Sequence, residues 1–174
     1  MKLKSLLICM LTALCFSCEA THRMHTKSFI GHHAAKADFP IPVGLINDYD
    51  NILSDEQEAK LLDLIKKYKT ETNNEIVIVT VTSLLDYTGL VEYSLDLANH
   101  WGIGQKDKDN GVLIALYMKD RRIWINNGVG IMQKLTDDET MNIINKIIVP
   151  EFKKNDFYNG FEKGIKAIIK ELDS

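Results

Sequence analysis

Cysteine is nearly missing from this 174-residue chain: Cys9, Cys15 and Cys18 are its only three, and all lie in the first 18 residues. Everything downstream is therefore without a disulfide and without a thiolate nucleophile or metal ligand. Histidine is almost as scarce where chemistry would need it. Four of the five, His22, His25, His32 and His33, crowd a short N-terminal stretch, and His100 stands alone beyond it. With no Gly-x-Ser-x-Gly, no His-Glu-x-x-His and no P-loop, nucleophilic catalysis by a Ser/His or Cys/His pair is disfavoured. No basic patch interleaved with aromatics occurs either, and 24 acidic residues outnumber 21 basic ones. An acidic chain gains no counterion-release attraction to phosphate backbones, which excludes nucleic acid as the expected partner. No apolar run reaches the ~18 residues that span a bilayer as a helix.

The longest such run, LLICMLTALCF, follows Lys2 and Lys4 and ends at Ser17-Cys18. A basic start, a short apolar stretch and a small residue before the junction read as an export signal over residues 1–17. Cleavage before Cys18 leaves one cysteine in the mature chain, at its new N-terminus, and a net charge of −5. The junction LCFSC resembles a bacterial lipoprotein box. That resemblance implies acylation of Cys18, as palmitate or a similar chain, and a lipid anchor in the cell envelope; ordinary secretion with cleavage near Ala20 is the alternative. Cys15 stands where such boxes usually carry leucine. Residues 18–40 lack periodicity and read as a flexible tether. The clustered histidines there could gather a transition metal, but no carboxylate or thiolate frame fixes them, and a solvated tether is the simpler reading.

Residues 41–174 read as one domain, long enough to bury a core without staples. Ser54-Asp55-Glu56-Gln57 is a capping box opening a helix that Asn73-Asn74 stops. Glu75–Val81 is β-branched and apolar on both faces, the pattern of a central strand covered on two sides. A helix over about Thr88–Trp101 ends at Gly102, with Tyr93 and Trp101 as core aromatics. A second buried strand begins at Gly111 and runs to Met118, and the two-residue gap Lys119-Asp120 predicts an antiparallel hairpin with the strand starting at Arg121. Thr136–Glu139 caps a third helix with Met141, Ile144 and Ile148 in register, ended by Pro150. The last helix, about Asp156–Leu172, carries Gly160 and Gly164 one turn apart, the mark of a close packing approach. The expectation is a three-layer α/β/α sandwich with a small mixed sheet covered by helices on both faces.

The loop Gly102-Ile-Gly-Gln-Lys-Asp-Lys-Asp-Asn-Gly111 poses the functional question. Its two glycines lack the third of a dinucleotide fingerprint and stand between a helix and a strand, in the reverse of the required order. As an EF-hand its glycine comes one position early, and Met118 would occupy the place of the bidentate Glu. Any calcium or magnesium site must then be assembled from separate segments.

LINDYDNILSDEQ, EIVIVTVTSL, LANHWGIGQKDKDNGVLIAL, DRRIWI, VGI, LTDDE and VPEFKKNDFYNG follow one another from Ile46 to the last helix. In that order they resemble the TPM domain family, named for a thylakoid acid phosphatase, a photosystem repair factor and a receptor modulator. The resemblance implies an α/β/α sandwich in membrane-associated proteins, often beside membrane protein complexes, with calcium or magnesium bound by an acidic cluster in some members and weak acid phosphatase activity in plant relatives. Asp48 matches the family's Val-x-Asp opening, Asp109-Asn110-Gly111 its Asp-Asn-Gly, and Asp137 its Leu-Thr-Asp. The family commonly reads Ile-Glu-Val-Gly-Tyr-Gly-Leu-Glu where this chain has Ile125-Asn-Asn-Gly-Val-Gly-Ile-Met132, so two glutamates and a tyrosine are replaced. Asp107, conversely, stands where a glycine is frequent.

The expected function is a lipid-anchored envelope domain that binds a divalent cation weakly through Asp48, Asp109, Asp107 and Asn110 and works through contacts with a membrane protein or complex. No catalytic residue and no organic cofactor are expected. A metal-dependent acid phosphatase-like hydrolase and a purely structural interaction module are the alternatives. Each acid also has a plain structural role open to it: Asp48 as a turn cap, Asp109-Asn110 as the bend before the strand, Asp137 as a helix-start acid.

Overall fold

The computed structural model describes residues 38–174; the signal segment, Cys18, the four clustered histidines and nearly all of the tether lie outside them. Four strands form one sheet in the order β1-β2-β3-β4: Ile46–Asp48, Glu75–Val81, Gly111–Tyr117 and Arg122–Asn127. The first three are parallel and β4 runs antiparallel to β3, giving the mixed sheet expected.

Alternation along the strands sorts their side chains into two cores. Ile76 and Ile78 of β2 and Val112, Ile114 and Leu116 of β3 face one layer of helices. That layer holds α1 (Asp55–Thr72), α3 (Asp137–Ile143), a π-helical turn (Ile144–Ile148), α4 (Val149–Phe152) and α5 (Phe157–Leu172). Val77, Val79 and Val81 of β2 and Leu113, Ala115 and Tyr117 of β3 face the other side, where α2 (Leu90–Trp101) lies. The three-layer sandwich is therefore present, with one face covered by several helices and the other, among the described residues, by α2 alone.

Local chemistry sets most boundaries. The Ser54 and Thr136 capping boxes both form completely. Asn73 takes the left-handed conformation that closes α1, and Gly102 does so for α2. The hairpin differs from expectation: the strands stop at Tyr117 and resume at Arg122, and the four residues between them turn with Arg121 at positive φ and its N–H donating to Met118 O.

Pro150 does not end the third helix. Pro150 has no N–H to donate to the carbonyl one α-turn back and its ring clashes with that carbonyl, and the chain widens into the π turn before continuing as α4 with Pro150 in the first turn. The wider turn shifts the helix register. Met141 is left 38% exposed while Ile143 enters the core beside Ile144 and Ile148. The shifted face meets the notches of α5: Gly160 lies under the Phe152 ring and Gly164 under Ile148, which gives the paired glycines their packing role.

Residues 39–44, partly assigned to the tether by sequence, are strapped over the α2 side. Phe39 stacks edge-on against Tyr93, with ring centroids 5.4 Å apart, and Trp101 Nε1 donates to Pro40 O. Tyr49 donates its hydroxyl to Ile41 O, and fully buried Asn47 accepts from Val43 N and Gly44 N. Burial pushes the Tyr93 phenol up to about 12. Tyr87 rises to about 12 as well, through burial first and then through the Asp96 carboxylate that its hydroxyl donates to.

Candidate functional site

The acids singled out by sequence sit at opposite ends of the sheet. Asp48 closes β1 and is in register with Thr80, which is in register with Leu116. Gly111, the residue after Asp109-Asn110, begins β3 five positions before Leu116. At ~3.3 Å per residue the two loops are separated by about 17 Å along the strands alone. The parallel pairing of β1, β2 and β3 imposes this, because one loop precedes a strand and the other follows one. Asp48 and Asp109 are not brought together.

At the Asp109 end, four segments interlock through backbone contacts and through the Asn110 and Glu75 side chains. Asn110 is 5% exposed and its amide is fully engaged: Oδ1 accepts from Gln105 N at 2.8 Å, and Nδ2 donates to Asn73 O at 2.8 Å and to Asn74 Oδ1 at 3.3 Å. Glu75 N donates to Asn110 O, and Glu75 Oε2 accepts from Gly104 N at 2.7 Å while its other oxygen pairs with Lys69. Gly128 and Gly130 press against the carbonyls of Asp109 and Lys108 so closely that neither has room for a Cβ. Gly130 N donates to Asp109 O, and Asp109 itself takes positive φ. Asp107 and Asp109 turn their carboxylates to solvent. Lys108 and Lys134 overlook a shallow cavity of about 410 Å³ there, but the Lys134 ammonium already caps α5 by donating to Leu172 O.

At the Asp48 end, the carboxylate organises the turn that follows β1. Oδ1 accepts the Thr80 hydroxyl at 2.9 Å, and Oδ2 accepts Leu53 N at 2.8 Å. The Thr80 oxygen in turn accepts Asp50 N at 2.9 Å. Asp50 Oδ2 is buried and has no hydrogen-bond partner. Burial raises the Asp50 pKa, with the Asp48 charge adding to it. Glu58, on the first turns of α1, is raised by burial and then by Asp48 and Asp55. Sequence reasoning found Asp48 but missed Asp50, Glu58 and Thr80; the one signal available was the lone hydroxyl in the otherwise apolar run after Glu75.

Among the described residues, no group of three or more His, Cys, Asp or Glu side chains is assembled to hold a metal ion. Asp137 is exposed in the first turn of α3, where the helix dipole favours an acid. Among the same residues no helix is long and apolar enough to cross a membrane.

No curated protein matches the chain. Among solved structures it is similar to the N-terminal domain of a protein from P. gingivalis, at 29% identity and TM-score 0.67, covering 74% of this chain and 82% of that one. It is also similar to BA42 from Bizionia argentinensis, at 23% identity and TM-score 0.62, over 71% and 83% of the two chains. The N-terminal domain of cg2496 from Corynebacterium glutamicum shares the fold at 18% identity and TM-score 0.58, over 77% and 84%. The TPM domain profile matches residues 46–171, from the start of β1 to the last turn of α5. By that match, which takes in every strand and helix just described, the chain belongs to the TPM domain family.

Proposed function

We propose that this chain is a lipid-anchored protein of the bacterial cell envelope whose TPM domain acts through contacts with a membrane protein or complex and binds calcium or magnesium weakly. The observation that carries the cation reading is the buried, unpartnered oxygen of Asp50 beside the Asp48 carboxylate. A hard cation relieves both the missing partner and the like-charge repulsion. Asp48 and Asp50 would hold it, with water supplying most of the remaining oxygen ligands, which fits low affinity. What the cation supplies is charge neutralisation at the β1–α1 turn. Asp107 and Asp109 then serve as solvated acids on a separate loop.

Titration of the mature chain followed by NMR tests this. Saturable shifts are expected around Asp50 and Thr80, and at ten times Kd the cation adds about 1.4 kcal/mol of stability. Asp50→Asn abolishes that gain and raises the stability of the metal-free protein at neutral pH. The sign follows from linkage: a carboxyl raised by folding binds protons more tightly than in the unfolded chain, so it costs stability as pH rises through the folded pKa. Asp109→Asn leaves the titration unchanged. Shifts centred on Asp109 instead would refute the assignment.

The anchor is tested by fractionation. Cys18→Ser is expected to move the protein from membranes to the soluble fraction, and persistent membrane association would show that acylation is not its attachment.

A further inference from the structure

The strap over residues 39–44 shows solvent its aliphatic side chains and turns most of its backbone polarity inward. Ile41 is 83% and Val43 77% exposed, the two most exposed large hydrophobics among the described residues. Beneath them Pro40 O accepts from Trp101 Nε1 and Ile41 O from the Tyr49 hydroxyl. Val43 N and Gly44 N donate to Asn47 Oδ1, and Gly44 O accepts from Asn47 Nδ2. Pro40 and Pro42 have no N–H to satisfy. Only Ile41 N, Pro42 O and Val43 O are then left, among the described residues, for an outside partner.

The strap is also held in place before anything meets it. The two prolines fix their own φ and bias Phe39 and Ile41 towards extended conformations, while the Phe39 ring packs 5.4 Å from Tyr93 and 6.0 Å from Tyr87. Little further ordering opposes a contact made by Ile41 and Val43. Such a surface suits an apolar medium, because unbonded N–H and C=O groups are what make bare backbone costly there. Charge offers no attraction to anionic headgroups: Asp38 is exposed beside the strap, and no Lys or Arg occurs from Ala37 to Ala59.

We propose that Ile41 and Val43 seat the domain on the bilayer that holds its anchor, entering the headgroup–acyl boundary of zwitterionic lipid. The inference rests on the lipid-anchor reading above, and chain length selects the occupant. Asp38 stands 20 positions after Cys18, and as a flexible chain that length spans ~25 Å. The strap is thus the described segment nearest the bilayer along the chain. A short tether raises the local concentration to about the millimolar range, where two aliphatic side chains suffice to favour contact. Released from the anchor, the same two residues are too few to hold the protein on a membrane, in keeping with the soluble Cys18→Ser protein expected above. Seated this way, the strapped α2 side faces the lipid and the layer of α3 and α5 faces water.

The mature chain, residues 18–174, is coupled through the Cys18 thiol, its only one, to a maleimide lipid in phosphatidylcholine nanodiscs, and NMR is recorded with and without a lipid spin-labelled in its tail. The Ile41 and Val43 methyl signals are expected to fall about threefold or more relative to that of Met141, an exposed side chain on the opposite layer. Ile41→Asp with Val43→Asp, both at exposed positions, is expected to remove the excess loss while the remaining spectrum stays that of the folded domain. Equal signal loss at all three residues, or none at any, overturns the proposal. So does an excess that survives the double substitution, and so does one that appears only when anionic lipid is added, since the contact would then be electrostatic. Chemical coupling supplies the anchor whether or not cells acylate Cys18. Failure here therefore leaves the anchor reading to the fractionation test, and failure there leaves this result standing.

Discussion

Gly130→Ala is expected to destabilise the domain by about 3–5 kcal/mol, near the upper limit for a single substitution, and to lower Tm by about 10 °C or more. The cause is a collision that no side-chain rotation relieves. A Cβ at position 130 overlaps the Lys108 carbonyl oxygen, and that carbonyl belongs to a loop held on three sides. Gly128→Ala meets the Asp109 carbonyl in the same way and is expected to behave alike. Overpacking against a movable side chain costs about 1–3 kcal/mol; against pinned backbone the whole loop must shift, and the Gly130 N to Asp109 O bond breaks with it. Gly44→Ala is the control, because nothing lies within 4 Å of its added methyl. Thermal melts of the three variants check the prediction, and a Gly130→Ala Tm within error of Gly44→Ala would refute it.

Asn110→Ala is expected to cost about 1–3 kcal/mol, because it leaves the part-buried Gln105 N and Asn73 O without the amide that joins them. Asn110→Asp separates this account from a ligand role. A carboxylate keeps an oxygen for Gln105 N, but it cannot donate to Asn73 O and sets a negative charge at the C-terminal end of α1, where the helix dipole disfavours it. The expected order of stability at neutral pH is wild type, then Ala, then Asp, with Asp recovering in acid as the carboxyl regains a proton to donate. A cation ligand would give the opposite result: the added charge would tighten calcium binding. Denaturant unfolding at neutral and acidic pH, with and without calcium, distinguishes the two.

These two sites explain why so polar a loop precedes a fully buried strand. Asn110 joins the end of α1, the turn after α2 and the start of β3 through one amide. Asp109 supplies the left-handed bend and the carbonyl that Gly130 meets. Both are consistent with the bend-forming role open to them from sequence, while the pairing of Asp109 with Asp48 in one site is absent.

What was legible in the sequence was local or periodic. The two complete capping boxes, the left-handed Asn73 and Gly102, the two-sided apolar strands and the paired glycines of α5 each rest on interactions within a few residues or on one repeating face. Those suffice for the layers and for the family. Tertiary structure decided what depended on strand direction and on distant contacts. The parallel run of β1, β2 and β3 sends the Asp48 and Asp109 loops to opposite ends of the sheet, and no local signal carries that information. Pro150, read as a stop, is absorbed by a π turn because α5 offers glycine notches for the rotated face. Asp50 becomes notable only once folding buries its oxygen beside Asp48.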